Sequence, residues 1–409
     1  MTRSLGKNPY RPGVGLRPLY IAGRAAPARR FRAMLRAAPE QPANMRLTGL
    51  RGVGKTVLLG EFQKLAEEAN WAAAMLELQP GHNRDDSLVA ILGATTKAVR
   101  ERLSRMERLR TTIGGAARRT GTLGIAWGDI ALTYDPAVDT DRQDLSRALF
   151  EVVETAVGKG REGFVLLLDE AQVVRDERDS RGEHPLSLLI SSVVALQRRE
   201  IPLGLVLCGL PTLTGNLLRA RSYTERMFRG EEIGMLEVEE ARSAFVEPLS
   251  ETEITVDASD TLVETVIEEV EGYPYFIQLW GAELWDAAET AGTDLLTTAL
   301  LDVARPDIYR RLDLDFYEPR VSTLTPAEQD VLLASVGCDY PPLVVSDLNE
   351  ASNKSPGNVN VLLGRLVENG VLFRPRKGQY EYTAPKFRDY LMRHVEASGQ
   401  PGPKQTRRD

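Results

Sequence analysis

Residues 49–56 read Gly49-Leu50-Arg51-Gly52-Val53-Gly54-Lys55-Thr56 and match the phosphate-loop pattern G-x-x-x-x-G-K-[ST] at every fixed position. Glycines in this pattern let backbone N–H groups curl around phosphates, and the N-terminus of the next helix adds N–H groups and its dipole. A short apolar strand predicted over Met45–Thr48 precedes the loop, and a helix predicted over Thr56–Ala69 follows it. The stretch therefore predicts a loop that cradles the phosphates of a nucleotide.

The chemistry of this loop assigns roles to its residues. Lys55 is expected to reach the β- and γ-phosphates and to assist catalysis there, and Thr56 is expected to ligate Mg²⁺. The residues predicted to contact the nucleotide at the loop are Gly49, Leu50, Arg51, Gly52, Val53, Gly54, Lys55, Thr56 and Val57.

A second motif supplies two carboxylates. The apolar strand predicted at Phe164–Leu168 is followed directly by Asp169 and Glu170. Ligands of parallel sheets bind at the carboxyl ends of the strands. Asp169 is therefore predicted to hold the Mg²⁺ shell, and Glu170 to orient or deprotonate the attacking water. Such a strand is a weak signal alone, but with the upstream loop it predicts binding and hydrolysis of Mg-ATP.

The order of elements predicts an α/β fold. Strands and helices alternate as far as residue 208, and the strands are apolar throughout, which is typical of a parallel sheet covered on both faces. Helices alone are predicted from Val238 to Leu312. The predicted domains are a P-loop core at 1–235 with an N-terminal arm and a β-hairpin insertion at about 114–134, a helical lid at 236–318, a winged helix at 319–396 and a disordered tail at 397–409.

Composition excludes several classes of protein. The chain has 409 residues, 43% hydrophobic and 27% charged, which is enough for a sizeable core and excludes disorder as the main state. The longest nearly apolar windows, Phe164–Leu168 and Leu186–Leu196, are shorter than the roughly 18–20 residues of a membrane span. The basic N-terminus has no apolar stretch behind it, so no signal peptide is expected. Cys208 and Cys338 are the only cysteines, so we expect no disulfide scaffold and a cytoplasmic location.

The net charge of −7 is unevenly distributed. Residues 1–56 carry 12 Lys and Arg against one acidic residue, whereas residues 231–318 carry 23 acidic residues against 4 Arg. The acidic segment would repel nucleic-acid phosphates. The basic segment suits nucleotide phosphates, nucleic acid or the acidic segment of the same chain, and the sequence leaves these three open.

Together these motifs resemble the AAA+ ATPases of the origin-recognition-like and archaeal-ATPase group, which grades into the STAND signalling ATPases. Residues 49–56 match the Walker A motif, and Leu168–Gln172 matches the D-E-x-Q form of Walker B. Ala22–Arg24 resembles the G-R-x-x-E box that lies against the adenine, although Pro27 or Ala28 stands where Glu is usual. The resemblance implies ATP or ADP with Mg²⁺ as cofactors.

Two further segments resemble the catalytic accessories of this group. Cys208–Pro211 resembles the strand end that carries the sensor 1 residue, but no Asn, Ser or Thr occupies this terminus. Tyr223–Arg229 resembles the segment that carries an arginine finger, which in relatives often acts from a neighbouring subunit. Arg226 is the first candidate and Arg229 the second. The alternative is an arginine that pairs with a nearby glutamate.

A third segment resembles the nucleotide sensor of the lid. Gly272–Pro274 resembles the G-x-P motif that replaces the sensor 2 arginine in STAND-like members, and it implies that Pro274 touches the base. No arginine occurs between Arg242 and Arg305, so an ordinary sensor 2 arginine is absent from the lid helix. This departure favours a switch with slow turnover.

The C-terminal region resembles a winged helix. Thr325 and Glu328 have the spacing of a capping box, and a hairpin with Lys377 at its tip follows the third helix. Winged helices bind DNA through the third helix and the wing. The predicted phosphate contacts are Lys354, Arg365, Arg374, Arg376 and Lys377. The alternative is a module that packs on the ATPase core or binds protein.

Two functions from different classes follow. The first is an ATPase that couples binding and hydrolysis of Mg-ATP to movement of the lid and the winged helix, with double-stranded DNA as a candidate partner. The second is a STAND-like nucleotide switch with slow turnover that acts through protein partners. A homo-oligomer is compatible with both, and a membrane partner is not expected.

Overall fold

The computed structural model describes residues 6–13, 15–113, 144–178, 182–352 and 354–397. These fall into two compact units, the first comprising residues 1–23, 50–54 and 234–409 and the second comprising residues 24–49 and 55–233. The predicted hairpin insertion at 114–134 lies outside the described residues, as does the predicted tail beyond residue 397.

The second unit is built on a parallel sheet of five strands. These are β1 (Asn44–Thr48), β2 (Ala72–Glu77), β3 (Phe164–Asp169), β4 (Leu203–Gly209) and β5 (Arg229–Glu232). Their order is β2-β3-β4-β1-β5, and each neighbouring pair is parallel. The carboxyl ends of β1 and β3, which lead to Gly49 and Asp169, therefore lie at the same edge of the sheet, with β4 between them.

Helices cover this sheet, as predicted for an α/β core. They are α1 (Ala25–Ala37), α2 (Lys55–Glu68), α3 (Asp85–Ile113), α4 (Asp144–Gly158), α5 (Pro185–Gln197), α6 (Thr212–Ala220) and α7 (Thr224–Met227). Every residue of β3 and β4 is buried, which explains why these strands read as unbroken apolar runs. The rings of Phe31 and Phe62 stack with centroids 4.3 Å apart and join α1 to α2.

The lid sequence in the first unit is helical apart from one short bridge. Its helices are α8 (Val238–Val246), α9 (Leu262–Val270), α10 (Pro274–Ala291) and α11 (Thr298–Leu312). Two-residue strands, β6 (Thr255–Val256) and β7 (Leu295–Leu296), pair in parallel. The prediction of helices alone from Val238 to Leu312 is therefore wrong at this bridge, which consists of too few residues to produce a strand pattern.

The C-terminal part of the first unit combines helices with a small sheet. After a π-helical turn at Asp313–Tyr317, its elements are α12 (Glu318–Ser322), α13 (Pro326–Ala334), β8 (Leu343–Val344), α14 (Val345–Ala351), α15 (Pro356–Glu368), β9 (Leu372–Arg376), β10 (Gln379–Tyr382) and α16 (Phe387–Ala397). The strands are antiparallel in the order β8-β10-β9. Three helices followed by a hairpin is the order that the sequence predicts, with Lys377 and Gly378 between the hairpin strands.

In the part of the chain that the structure describes, no helix combines the length and the apolar character needed to cross a membrane.

Candidate functional site

The phosphate loop has the backbone that its glycines predict. Gly52 and Gly54 have φ values of +79° and +87°, a region that L-residues rarely adopt. The loop is anchored at its start, where the N–H of Gly49 donates to the carbonyl of Gly209 over 3.2 Å. The loop thus begins at a fixed point on the end of β4.

Three predicted site residues meet at the carboxyl edge of the sheet. Thr56 Oγ1 donates to Asp169 Oδ2 over 2.6 Å, although the two residues are 113 positions apart. Lys55 begins α2 and is 6% exposed, and Asp169 ends β3 and is 2% exposed. Buried charges of this kind require partners, and these groups supply both signs at one place.

Glu170 has an unusual backbone and a well-defined side-chain partner. Its φ and ψ values of 51° and 31° lie in the left-handed region, which is uncommon for a residue other than glycine. Its N–H donates to Asp169 Oδ1 over 2.9 Å, and its Oε2 accepts from Gln172 Nε2 over 2.5 Å. Both hydrogen bonds support the sharp turn by which the chain leaves β3.

Two neighbouring groups respond to the charge of this edge. Glu77 ends β2 and lies beside Asp169 in the sheet register. Burial raises the pKa of the Glu77 carboxyl, and the charges of Asp169 and Glu170 raise it further. Burial also raises the pKa of the Cys208 thiol, and Asp169 adds to this effect. Negative charge is therefore concentrated at the edge, where a cation would be stabilised.

These oxygen donors fit a magnesium ion. Mg²⁺ prefers oxygen ligands and takes few of them from protein, because substrate phosphates and waters complete its shell. The Thr56 hydroxyl and the Asp169 carboxylate form such a pair. Among the described residues there is no group of three or more His, Cys, Asp and Glu arranged to hold a metal ion.

Within the first unit, the phosphate loop contacts the start of the lid helix α10. The hydroxyl of Tyr273, which directly precedes Pro274, donates to the carbonyl of Arg51 over 2.7 Å. Tyr273 has no exposed surface. Pro274 is the first residue of α10, so the segment that resembles the G-x-P motif lies next to the loop.

Arg320 joins this contact from α12. It hydrogen bonds to Tyr273, and its guanidinium lies 3.7 Å from the centre of the Phe316 ring. Burial lowers the pKa of Arg320. Its Nη1 is buried and makes no hydrogen bond to any of the described residues.

The two arginine-finger candidates have different surroundings. Arg226 lies on the short helix α7 and is exposed. Arg229 begins β5 and pairs with Glu231, with Nε and Oε1 3.3 Å apart. The alternative of a paired structural arginine therefore describes Arg229, and Arg226 retains an exposed guanidinium.

The candidate DNA contacts differ in exposure and in ion pairing. Arg365 lies on α15, and Arg374, Arg376 and Lys377 lie on the hairpin; all four are exposed and pair with no acidic side chain among the described residues. Lys354 instead forms a salt bridge with Asp330, at 2.9 Å, and is only 21% exposed.

Sequence reasoning missed three residues of this region. The D-E-x-Q motif includes Gln172 without giving it a role, Tyr273 is the variable letter of G-x-P, and no motif includes Arg320. The signal for the first two was their place inside a motif. Arg320 had no signal, because Tyr273, its partner beside the loop, is 47 positions away along the chain.

The chain matches two family models. Residues 20–207 match the model of the AAA ATPase domain, and residues 314–391 match a domain of unknown function. No curated protein sequence matches the chain.

Solved structures share its fold. A Walker-type ATPase of Pyrococcus abyssi is 19% identical, with a TM-score of 0.54 over 92% of this chain and 97% of that one. The ORC2 protein of Aeropyrum pernix, in its ADPNP–ADP complexes, is 13% identical, with a TM-score of 0.54 over 95% and 98%. The ADP form of the same protein gives 0.52 at 13% identity, over the same shares. At these identities the likeness establishes the fold.

Three observations agree on a P-loop ATPase core: the motif match, the contact between Thr56 and Asp169, and the family model. Residues 20–207 match the model of the AAA ATPase domain, and the chain shares its fold with the Walker-type ATPase of Pyrococcus abyssi and the ORC2 protein of Aeropyrum pernix.

Proposed function

We propose that this protein binds Mg-ATP, hydrolyses it and couples the nucleotide state to the arrangement of the lid and the C-terminal module. The observation that carries the proposal is the 2.6 Å contact between Thr56 Oγ1 and Asp169 Oδ2, beside the buried Lys55. This arrangement supports a nucleotide with a metal ion as the ligand, since a buried cation, a hydroxyl and a carboxylate lie together where P-loop proteins hold phosphates and a metal.

Each residue of this group has a role in the proposed reaction. Lys55 would bind the β- and γ-phosphates, and Thr56 and Asp169 would hold the metal ion. Bound Mg²⁺ would neutralise the charge that develops on the phosphates. Glu170 orients the attacking water and accepts its proton. Gly49–Val57 and Pro274 complete the nucleotide contacts.

The coupling to the lid rests on contacts inside the first unit. Tyr273 hydrogen bonds both the loop carbonyl of Arg51 and the side chain of Arg320. A methyl group placed on Gly370, at the end of α15, would lie 3.2 Å from Arg51 Nε. A change in the loop on nucleotide binding would therefore be transmitted to the lid and to the C-terminal module.

We also propose that Arg226 acts on the nucleotide of a second copy of the chain. Its exposure and its position on a short helix suit an arginine that meets a neighbouring subunit. The exposed cations Arg365, Arg374, Arg376 and Lys377 would contact the phosphates of duplex DNA.

The slow switch is the second candidate, and one observation favours it. The end of β4 at Cys208 and Gly209 offers no side-chain amide or hydroxyl to the γ-phosphate, and burial raises the pKa of the Cys208 thiol. A site without this group would bind ATP and turn it over slowly.

Phosphate release with and without duplex DNA tests the proposal. Glu170→Gln should keep ATP affinity and reduce turnover by at least about 100-fold, since it removes the base that organises the water. The matched control is Glu77→Gln, which removes the other carboxylate beside Asp169 and should change turnover by less than about 3-fold. Unchanged turnover in Glu170→Gln would disprove the assigned role.

The switch makes a different prediction. If the protein is a slow switch, it should carry ADP when purified. The mass of its assembly should then differ between ATP and ADP. A nucleotide-free preparation that turns over rapidly would reject the switch in favour of the coupled ATPase.

A further inference from the structure

The side chain of Gln172 connects two parts of the ATPase core. Its Nε2 donates to Glu170 Oε2 over 2.5 Å, and its Oε1 accepts from the N–H of Leu210 over 3.0 Å. Leu210 directly follows β4, whose last residue, Gly209, anchors the phosphate loop through the N–H of Gly49. One amide group thus ties the proposed base to the strand end on which the loop is anchored.

The two ends of this amide are not interchangeable. A carboxylate accepts hydrogen bonds and a backbone N–H donates one, so each partner selects one end of the glutamine. The backbone of Gln172 is held independently, because Asn216 Nδ2 donates to its carbonyl over 2.9 Å. The side chain therefore starts from a fixed position and has both of its polar ends satisfied.

The amide also occupies the space beside Gly209. A methyl group added to Gly209 would overlap Gln172 Oε1. The φ of Gly209 is not in the positive range, so this contact is what excludes a side chain there. The end of β4 lacks a polar side chain of its own, and Gln172 supplies an amide from the end of the neighbouring strand β3.

We infer that Gln172 is a positioning residue for ATP hydrolysis: it fixes the carboxylate of Glu170 relative to the end of β4 and replaces the polar side chain that β4 lacks. The inference rests on the proposed function, because Glu170 is the base only if the protein hydrolyses ATP. It also accounts for the left-handed backbone of Glu170, since strained conformations persist where surrounding contacts over-determine them.

The first test separates turnover from binding. Gln172→Met keeps the length of the side chain and removes both hydrogen bonds, whereas Gln172→Glu keeps the acceptor for Leu210 and removes the donor to Glu170. Both should lower kcat by about 10- to 100-fold and change KM by less than about 3-fold, because misplacing a reacting group costs rate. A kcat for Gln172→Met within about 3-fold of the unmodified protein, or an equal change in KM, would overturn the inference.

A second glutamine that contacts β4, from helix α5, provides a matched control. Gln197 is also a bridging glutamine, and its Nε2 donates to Asn44 Oδ1 and to the carbonyl of Leu203 at the opposite end of β4, both at 2.8 Å. Gln197→Met should lower the thermal midpoint as much as Gln172→Met does. Its kcat should stay close to that of the unmodified protein. A similar loss of kcat in both variants would make the role of Gln172 structural.

A rescue experiment adds a result that a structural role would not produce. Gly209→Asn alone should impair the protein, because the new side chain overlaps Gln172. The double variant Gly209→Asn, Gln172→Ala should have a kcat at least about 5-fold higher than that of Gln172→Ala alone, because the asparagine places an amide in the vacated space. If the double variant is worse than both single variants, the amide is not the functional element.

A readout without turnover distinguishes this inference from the proposed function. If the unmodified protein releases no phosphate, the proposed hydrolysis fails. The thermal midpoints of Glu170→Ala, Gln172→Met and their combination then test the bridge itself. A bridge predicts that the double variant loses no more than the larger single variant, whereas additive losses mean that the two side chains are not coupled.

Discussion

At the scale of single residues, the two glycines of the loop with positive φ make different demands. An L-residue at either position costs about 1–2 kcal/mol. A methyl group on Gly52 would also overlap the Tyr273 hydroxyl, whereas a methyl group on Gly54 would have no atom of another described residue within 4 Å beyond its chain neighbours. We therefore expect Gly52→Ala to lower the thermal midpoint more than Gly54→Ala, as measured by scanning calorimetry.

The reason for this difference can be isolated. In a Tyr273→Ala background the overlap is gone, and the two glycine variants should then have equal effects. A difference that persists there would mean that backbone strain, and not Tyr273, separates the two glycines.

The two cysteines should be unreactive in the folded protein. Both are free and buried. Burial raises the pKa of the Cys338 thiol to about 11 and that of the Cys208 thiol well above its usual range. Only the thiolate is alkylated, so iodoacetamide at pH 8 should modify neither, and mass spectrometry should find two adducts after unfolding.

The same pKa shift sets a pH dependence of stability. A raised acid pKa means that folding favours the protonated thiol, so the contribution of Cys338 is complete below about pH 9 and is lost as the pH rises through about 11. In the alkylation experiment, iodoacetamide adducts on the folded protein at pH 8 would contradict the burial of both thiols.

At this scale the motif letters predicted which side chains lie at the carboxyl edge of the sheet, but not the contacts that support them. The two Walker motifs assign one expected role to each of their fixed letters, and these letters are Lys55, Thr56, Asp169 and Glu170. The contact of Gln172 with Leu210 joins positions 38 apart. It depends on how β3 and β4 pair, and no local pattern encodes that pairing.

At the scale of elements, long apolar patterns predicted the core and short polar ones did not. β3 was predicted to within one residue, because every side chain of this strand is buried. β5 was missed because Arg229-Gly230-Glu231-Glu232 contains no apolar residue, although it pairs with β1 along its whole length. Pairing at a sheet edge comes from backbone hydrogen bonds, so it leaves little trace in the side chains.

The contact between the loop and helix α10 can be tested by removing one oxygen atom. Tyr273→Phe deletes the hydroxyl, and with it the hydrogen bonds to Arg320 and to the Arg51 carbonyl, of which the bond to the loop is worth about 1 kcal/mol. We expect ATP affinity, measured by calorimetry, to weaken about 5-fold because the loop is less well fixed.

Another buried tyrosine provides the control. The hydroxyl of Tyr10 donates to the Phe245 carbonyl over 2.5 Å and not to a residue of the loop. Tyr10→Phe should lower stability by a similar amount and leave ATP affinity unchanged. If both variants weaken ATP binding equally, the loop contact has no special role.

At the scale of the whole molecule, charge is distributed unevenly among the segments of the chain. The acidic lid sequence at 231–318 repels polyanions, while residues 354–393 carry 8 basic residues against 3 acidic ones. Among the described residues of the C-terminal module, the exposed cations without acidic partners lie on α15 and on the β9–β10 hairpin. These two elements are therefore the proposed DNA surface.

A charge-matched comparison tests that surface. Replacing Arg374, Arg376 and Lys377 by alanine removes three exposed cations from the hairpin. The control replaces Arg29, Arg32 and Arg36 on α1, which are exposed as well and carry the same total charge. Both triple variants thus change the net charge equally, and only the hairpin variant should lose DNA affinity beyond what a change in net charge produces.

The salt dependence gives the quantitative form of this prediction. Each phosphate contact contributes about 0.9 to the slope of log K against log salt concentration, so loss of three contacts should reduce the slope by about 2.7. Fluorescence anisotropy of labelled duplex DNA over a salt series measures it. Equal slopes for the two triple variants would assign the binding to net charge and exclude the hairpin. No binding by the unmodified protein would instead favour the nucleotide switch, in which the C-terminal module contacts protein.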